Sequence, residues 1–342
     1  MVSLGDSHSS GEDASELDGR DYYRETNNHG WDAASDTAEP HRNACHRSPF
    51  AWSRLGLLAG GTTSIGQRAD SWDPSTDYHL LACSGAQSEN LLPFVTVPTG
   101  QAPPKNAFGQ PGVSQYGELS QLDRRFLDEN TTLVTSSVGG NDAWFSPIVE
   151  KCITLLTDVC QDATLTNAGD TEPLTAAEPK VIAGPVEDSV VIVLQEIRKR
   201  APSAKIMLMG YPTLFERYGS CVPGIGTAEA PWLNLMSGVL ADHLAKAVDR
   251  VGGAAAGFFF SDPRGVFRPN GPDTIGYGVC AKPEKIRGIV TTLTESDIPK
   301  TTITWPGKDP SLGVSNQSFY SNKDGQIVYS QSFNETLRRM GL

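Results

Sequence analysis

The stretch that decides the fold is Met1-Val2-Ser3-Leu4-Gly5-Asp6-Ser7, at the start of the chain. A short apolar run, Met1–Leu4, leads directly into a glycine and two small polar residues, which is typical of a buried strand that ends in a tight turn. Working outward, four later runs have the same form, each ending in glycine or small polar residues: Tyr78–Cys83, Thr132–Val138, Lys205–Gly210 and Ala255–Phe260.

Helical patterns lie between the later runs. Residues Val186–Arg200 place Val190, Leu194 and Ile197 on one face, and Trp232–Val251 repeats this periodicity. Strands that alternate with helices predict an α/β fold, a parallel sheet covered by helices on both faces. In such folds ligands bind beyond the carboxyl ends of the strands, where the Gly-rich polar motifs of this chain lie.

Composition excludes several classes of partner. The chain has 342 residues, and its 28 basic and 40 acidic residues give a net charge of −12, which disfavours nucleic acid and anionic bilayers. No apolar run approaches the roughly 18–20 residues of a transmembrane helix, so we expect no integral membrane span. We expect one monomeric domain over residues 1–342, with long loop insertions at 12–44 and 262–310.

The six cysteines predict disulfides rather than a metal site. None belongs to a CxxC pair, and no Cys/His cluster has the spacing of zinc ligands, so no metal is expected. Disulfides indicate an oxidising compartment, and six cysteines leave 15 connectivities open. We expect a secreted protein whose signal peptide is not part of this sequence.

Three motifs at predicted strand ends indicate acyl chemistry. A serine in the turn Gly5-Asp6-Ser7 can project its hydroxyl over the sheet edge as a nucleophile, although an ordinary capping serine is the simpler interpretation of this triplet alone. Gly85 follows the second strand and Asn141 the third. The N–H groups of Ser7 and Gly85 and the amide of Asn141 could stabilise the oxyanion of an ester.

These motifs resemble those of the SGNH (GDSL-like) hydrolase superfamily, and most closely its secreted lipase/esterase branch with three disulfides. The residues concerned are 4–12, Cys45-His46-Arg47-Ser48, 83–86, 139–142, 210–212 and 278–280. The resemblance implies a three-layer, flavodoxin-like fold with a five-stranded parallel sheet. It also implies disulfides paired in sequence order, Cys45–Cys83, Cys152–Cys160 and Cys221–Cys280.

The C-terminal motif departs from the family. Relatives carry an acidic residue, two further residues and the catalytic histidine, whereas this chain has Gln317-Ser318-Phe319-Tyr320 in the same frame. Tyrosine, with a pKa near ~10, is almost wholly protonated at neutral pH, and glutamine has no charge to orient an imidazole.

Another histidine could supply the missing base. His8 follows the nucleophile, where relatives carry an aromatic residue, so histidine and tyrosine look exchanged between positions 8 and 320. A relocated base is one interpretation of His8, and a wall residue of the pocket is the simpler one. We expect structural or solvated roles for the remaining histidines: His29, His41, His46, His79 and His243.

The sequence thus predicts a serine hydrolase of carboxylic esters, of lipase/esterase type, with weak turnover and an atypical base. It would act on a small-molecule or lipid ester without a cofactor. The alternative is a pseudo-hydrolase that binds a ligand in the same pocket, because the chemistry of both Gln317 and Tyr320 differs from that of the family.

Overall fold

The central element of the fold is a sheet of five parallel strands in the order β2-β1-β3-β4-β5. The computed structural model describes residues 1–28, 43–94, 112, 115–155, 159–165, 171–216, 221–271, 276–297, 302–303 and 312–342. This strand order is that of flavodoxin-like folds, so the predicted fold class is confirmed. The strands are β1 (Val2–Gly5), β2 (His79–Leu80), β3 (Leu133–Ser137), β4 (Lys205–Met209) and β5 (Phe258–Ser261).

Helices cover both faces of this sheet. Among the described residues, none is long and apolar enough to cross a membrane. A short antiparallel pair, β6 (Thr302–Ile303) and β7 (Leu312–Gly313), lies apart from the main sheet. The helices are α1 (Ser7–Ser10), α2 (Trp52–Leu55), α3 (Ile65–Asp70), α4 (Ser88–Leu91), α5 (Phe145–Thr154), α6 (Leu174–Val181), α7 (Glu187–Arg200), α8 (Glu229–Arg250), α9 (Arg264–Phe267) and α10 (Lys323–Met340).

Two hydrophobic cores flank the sheet because side chains alternate between its faces. In β4, Ile206 points into one core and Met207 into the other. The first core packs against α7 and α8 and includes Val190, Val193, Leu194, Ile197, Leu240 and Leu244. The second packs against α2, α5, α9 and α10 and includes Trp52, Ile148, Phe267, Tyr329, Phe333 and Leu337.

The end of β1 lies unusually close to β3. Gly5 pairs with Ser137 at a φ of +122°, and a Cβ at position 5 would lie 2.3 Å from the carbonyl oxygen of Ser137. Only glycine fits such a contact and such a backbone conformation. The glycine of the first motif therefore brings the turn that carries Ser7 directly against the neighbouring strand.

The described parts of the predicted insertions contain little regular structure. Within 12–44 the structure has a 3₁₀ turn at Arg24–Thr26, and residues 29–42 lie outside the described residues. Within 262–310 it has α9 and β6. The single-domain organisation and the monomeric state remain predictions.

All six cysteines form disulfides, in the predicted sequence order: Cys45–Cys83, Cys152–Cys160 and Cys221–Cys280. The first links the segment after α1 to the chain that leaves β2. It therefore ties together two of the segments that carry the predicted site.

Candidate active site

The turn that presents Ser7 is held by the carboxylate of Asp6. This residue caps α1 and accepts a hydrogen bond of 3.0 Å from the backbone N–H of His8. Its oxygens also accept 2.6 Å hydrogen bonds from the hydroxyls of Ser137 on β3 and Tyr211 beyond β4. The ends of β1, β3 and β4 are thereby joined at the turn that carries Ser7.

Burial raises the pKa of Asp6 to about 6, because a low-polarity environment disfavours the carboxylate, and hydrogen bonds from Ser137 and Tyr211 oppose the rise. The side chain of Gln121 adds a second clamp. It accepts from the N–H of Gly5 at 2.7 Å and donates to its carbonyl at 2.8 Å. The turn is thus anchored on both sides of Ser7.

The motif around Gly85 and the motif around Asn141 are joined to one another by hydrogen bonds. Asn141 donates from Nδ2 to the carbonyl of Ala86 at 2.9 Å, and Asp142 accepts from the hydroxyl of Ser88 at 2.7 Å. Gly85 has a φ of +76°, in the left-handed region that glycine tolerates. Within the described part of the chain, the N–H groups of Ser7 and Gly85 have no acceptor, so both are free to donate.

Ser7 has Tyr320 as its partner. The hydroxyl of Ser7 donates to the phenol oxygen at a distance of 3.0 Å, and the two residues are 1% and 7% exposed. Burial raises the pKa of Tyr320 above its ordinary value, although hydrogen bonds with Ser7 and Ser146 oppose the rise. The phenol therefore stays protonated throughout the physiological pH range.

Tyr320 is positioned by a separate segment of the chain. Its carbonyl accepts from the N–H of Arg287 at 2.9 Å, and the N–H of Phe319 donates to the carbonyl of Arg287 at 3.1 Å. Phe319 has a φ of +68°, which turns the chain sharply before Tyr320. The tyrosine thus reaches the serine in the place that the sequence frame assigns to the family histidine.

Gln317 does not join this pair. Its side chain is fully buried, and Nε2 donates to the hydroxyl of Tyr22 at 3.1 Å and to the carbonyl of Glu16 at 3.3 Å. No hydrogen bond connects it to Tyr320 among the residues that the structure describes. Gln317, at the position where the sequence frame predicts an acidic residue, therefore makes structural contacts with the 12–28 segment.

His8 lies against Tyr320, as the exchange of residue types suggested. Its ring centroid is 5.0 Å from those of Tyr320 and Tyr211 and 6.0 Å from that of Tyr329. Burial among these rings lowers the pKa of His8 to about 3, so the imidazole is neutral at physiological pH. No hydrogen bond in the described structure joins it to Ser7, and an imidazole of such low pKa is a weak base.

The other histidines that the structure describes, His46, His79 and His243, have their contacts away from Ser7. His46 is buried, with Nδ1 2.8 Å from both carboxylate oxygens of Glu12 and Nε2 in contact with the hydroxyl of Ser296, so its predicted structural role is confirmed. His79 starts β2, and His243 contacts Glu187 from α8 rather than standing free in solvent. His29 and His41 lie outside the described residues.

A cavity opens from Ser7 between the strand ends and α5, α6 and α8. Ser7, His8, Asn141 and Tyr320 are among the residues that line it. Most of its wall is apolar and includes Phe145, Ile148, Ile182, Trp232, Leu233 and Met236. Such a site combines a hydroxyl, amide donors and an apolar channel, which suits a substrate with a polar reacting group and an apolar tail.

Comparison with known proteins shows a partial similarity in sequence and a broader similarity in fold. No family model matches the chain. Lipase 1 of Streptomyces coelicolor is 26% identical over 199 residues, which make up 58% of this chain and 57% of that lipase. The chain thus spans little more than half of that relative. Over those residues the chain is similar in sequence to a protein named as a lipase.

Solved structures show the same scaffold. Phospholipase A1 from Streptomyces albidoflavus NA297 is 19% identical and superposes with a TM-score of 0.57. An extracellular lipase from Streptomyces rimosus is also 19% identical, with a TM-score of 0.56. Each comparison covers 98% of this chain and 97% of the other. The fold of these two enzymes therefore extends over almost the whole sequence.

On this scaffold the structure brings Ser7, His8, Asn141 and Tyr320 together along one cavity, and it places Gln317 elsewhere. Gly85 is not among the residues that line the cavity, but it precedes Ala86, whose carbonyl accepts from Asn141. Sequence reasoning missed the supporting residues Asp6 and Tyr211, although both belong to motifs that carried the resemblance to SGNH hydrolases. It also missed the buried Glu12–His46–Ser296 contacts, because positions 12, 46 and 296 are too far apart in sequence to show a pattern.

Proposed function

We propose that this protein hydrolyses carboxylic esters, with Ser7 as the nucleophile. The N–H groups of Ser7 and Gly85 and the side-chain amide of Asn141 would donate to the carbonyl oxygen as it becomes negative. The observation that carries the proposal is that Ser7, on a turn held by Asp6, lines the same cavity as Asn141. Each fixed donor of this kind is worth about 10²–10³ in rate.

Proton transfer would pass through Tyr320 rather than to a histidine. The Ser7 hydroxyl already donates to the phenol at 3.0 Å. As Ser7 attacks, its proton would move to Tyr320, and the phenol proton would move to the leaving alcohol, directly or through a water. Tyr320 ends this step neutral, so the relay never requires a phenolate in a buried site. In the second step a water molecule would attack the acyl-enzyme and pass its proton through Tyr320 back to the Ser7 oxygen.

This relay accounts for the weak turnover that we expect. A phenol is a much poorer proton acceptor than an imidazole near neutral pH, and general acid–base catalysis by a well-matched group contributes about 10²–10⁴ in rate. The mechanism needs only side chains and water, so no cofactor takes part. A small-molecule or lipid ester with an apolar acyl chain is the substrate class that the cavity favours, and the three disulfides fit a secreted enzyme.

Hydrolysis of p-nitrophenyl butyrate by the wild type and by Ser7→Ala tests the proposal. We expect slow but measurable hydrolysis by the wild type and a rate at background for Ser7→Ala. Ser10→Ala is a matched control, because Ser10 lies on the same short helix and, within the described part of the chain, its hydroxyl hydrogen-bonds only to the carbonyl of Ser7. Equal rates for wild type and Ser7→Ala would exclude Ser7 as the nucleophile.

A second candidate function is a ligand-binding pseudo-hydrolase. The observation in its favour is that the phenol facing Ser7 has a raised pKa and cannot act as a free base. The double variant Tyr320→His/Gln317→Asp separates the two candidates. If the wild type does not hydrolyse the ester and the double variant does, the scaffold has lost only its base. That outcome would favour the binding function for the wild type.

A further inference from the structure

The imidazole of His8 has one nitrogen that is enclosed by protein, while the side chain lines the cavity. Nδ1 is inaccessible to solvent and has no hydrogen-bond partner among the described residues. The side chain nevertheless lines the cavity beside Ser7 and is 5% exposed. The edge that carries Nε2 is therefore the part of the ring that a bound molecule can reach.

Neutral imidazole carries its single proton on one of these two nitrogens. A proton on Nδ1 would create an enclosed N–H donor without an acceptor, and buried donors without partners are rarer in proteins than buried acceptors without partners. A proton on Nε2 leaves only a lone pair enclosed and directs the N–H into the cavity. The surroundings of His8 therefore favour the Nε2–H tautomer.

We propose that His8 is a hydrogen-bond donor to the substrate, presenting Nε2–H to an uncharged acceptor oxygen such as the carbonyl or alkoxy oxygen of an ester. Its role toward an ester rests on the proposed function, whereas the tautomer and the affinity for an acceptor oxygen do not. Packing among Tyr211, Tyr320 and Tyr329 keeps the ring in place. His8 then complements the amide donors, and it does not replace the missing base.

The tautomer can be measured directly by nitrogen NMR on protein with ¹⁵N-labelled histidine, with His8→Phe used to assign the signal. We expect a pyridine-like shift for Nδ1 and a pyrrole-like shift for Nε2, unchanged between about pH 5 and 8, the range in which ordinary histidines titrate. A pyrrole-like Nδ1, or two pyrrole-like nitrogens in that range, would overturn the proposal.

Binding of 2-octanone tests the donor without any hydrolysis. This ketone has one carbonyl acceptor and an apolar chain, and the Ser7→Ala background prevents an adduct with the serine. We expect Ser7→Ala/His8→Phe to bind about tenfold more weakly than Ser7→Ala, the loss that corresponds to about one hydrogen bond. Ser7→Ala/His243→Gln is the control, because His243 lies on α8 against Glu187, and its affinity should match that of Ser7→Ala.

If Ser7→Ala and Ser7→Ala/His8→Phe bind 2-octanone with equal affinity and have the same circular dichroism spectrum, the donor role of His8 is overturned. These outcomes are independent of ester turnover. If p-nitrophenyl butyrate is not hydrolysed but the ketone affinity falls as expected, the proposed function fails and the donor role of His8 stands.

Discussion

The hydroxyl of Ser7 donates a 3.0 Å hydrogen bond to the phenol of Tyr320, although the two residues are 313 positions apart in sequence. In the sequence frame of SGNH hydrolases, Tyr320 occupies the place of the catalytic histidine. The structure thus places a tyrosine against Ser7 at the position where the resemblance in sequence predicts a histidine. A phenol at this distance can relay a proton but cannot hold one as a free base.

Tyr320→Phe removes the relay while keeping the aromatic ring against His8. We expect kcat for p-nitrophenyl butyrate to fall about 10²-fold, the lower end of the range for a general acid–base group, with KM little changed. Steady-state kinetics with the wild type and the variant measure this. Tyr23→Phe serves as control, since Tyr23 packs against Arg54 in another part of the molecule. An unchanged kcat for Tyr320→Phe would contradict the relay.

Asn141→Ala tests the amide donor. If Asn141 stabilises the developing oxyanion, its loss should lower kcat by about 10²–10³ with a smaller effect on KM, because the contact strengthens in the transition state. The side chain also holds the carbonyl of Ala86, so thermal unfolding must be recorded in parallel. A drop in melting temperature without a drop in kcat would assign Asn141 a structural role only.

Asp6 makes the stability of the protein depend on pH. Its pKa rises from 3.8 to about 6 on burial, so the folded chain binds this proton more tightly than the unfolded chain. The resulting stabilisation is fully present below the unfolded pKa and is lost as the pH rises through about 6. At 1.36 kcal/mol per pKa unit, the loss is about 3 kcal/mol.

Urea unfolding at about pH 4 and pH 7 checks this sign. The free energy of unfolding of the wild type should fall relative to that of Asp6→Asn as the pH rises. Asp18→Asn is the control, because Asp18 is half exposed and pairs with Arg20 on the surface. A wild type that gains stability over Asp6→Asn across this range would show that the carboxylate, and not the acid, is the favoured form.

The buried pair of Glu12 and His46 predicts a large effect on stability. Burial by itself lowers the pKa of His46, but attraction to Glu12 outweighs it and leaves the pKa above its ordinary value. Glu12→Ala would leave the imidazole without its partner, and we expect a loss of about 3–5 kcal/mol in unfolding free energy. Glu16→Ala, which removes an exposed contact to Lys323, should cost less than about 1 kcal/mol.

Much of this architecture could be predicted from the sequence because it is local. The run into Gly5-Asp6-Ser7 identified β1 and its turn, and the apolar period of residues 186–200 identified α7 to within one residue. β2 is shorter than the predicted run Tyr78–Cys83, because only His79–Leu80 pair with β1, at the edge of the sheet. Edge strands have one neighbour and often pair over a short length.

The site was predicted less completely, because its geometry depends on contacts that are distant in sequence. The sequence frame aligned Tyr320 with a catalytic position, and only the structure showed that its phenol meets Ser7. Gln317 shares that frame, yet its amide turns to Tyr22 and Glu16. The pKa of His8 depends on three tyrosine rings from separate segments, which no local pattern reveals.

Labelling with a fluorophosphonate probe, followed by tandem mass spectrometry, tests the central claim most directly. If a hydroxyl with pre-arranged oxyanion donors stands at the tip of β1, the probe should form one adduct, on Ser7, and labelling should be absent in Ser7→Ala and slower in Asn141→Ala. Labelling at another serine, or equal labelling of wild type and Ser7→Ala, would contradict the account.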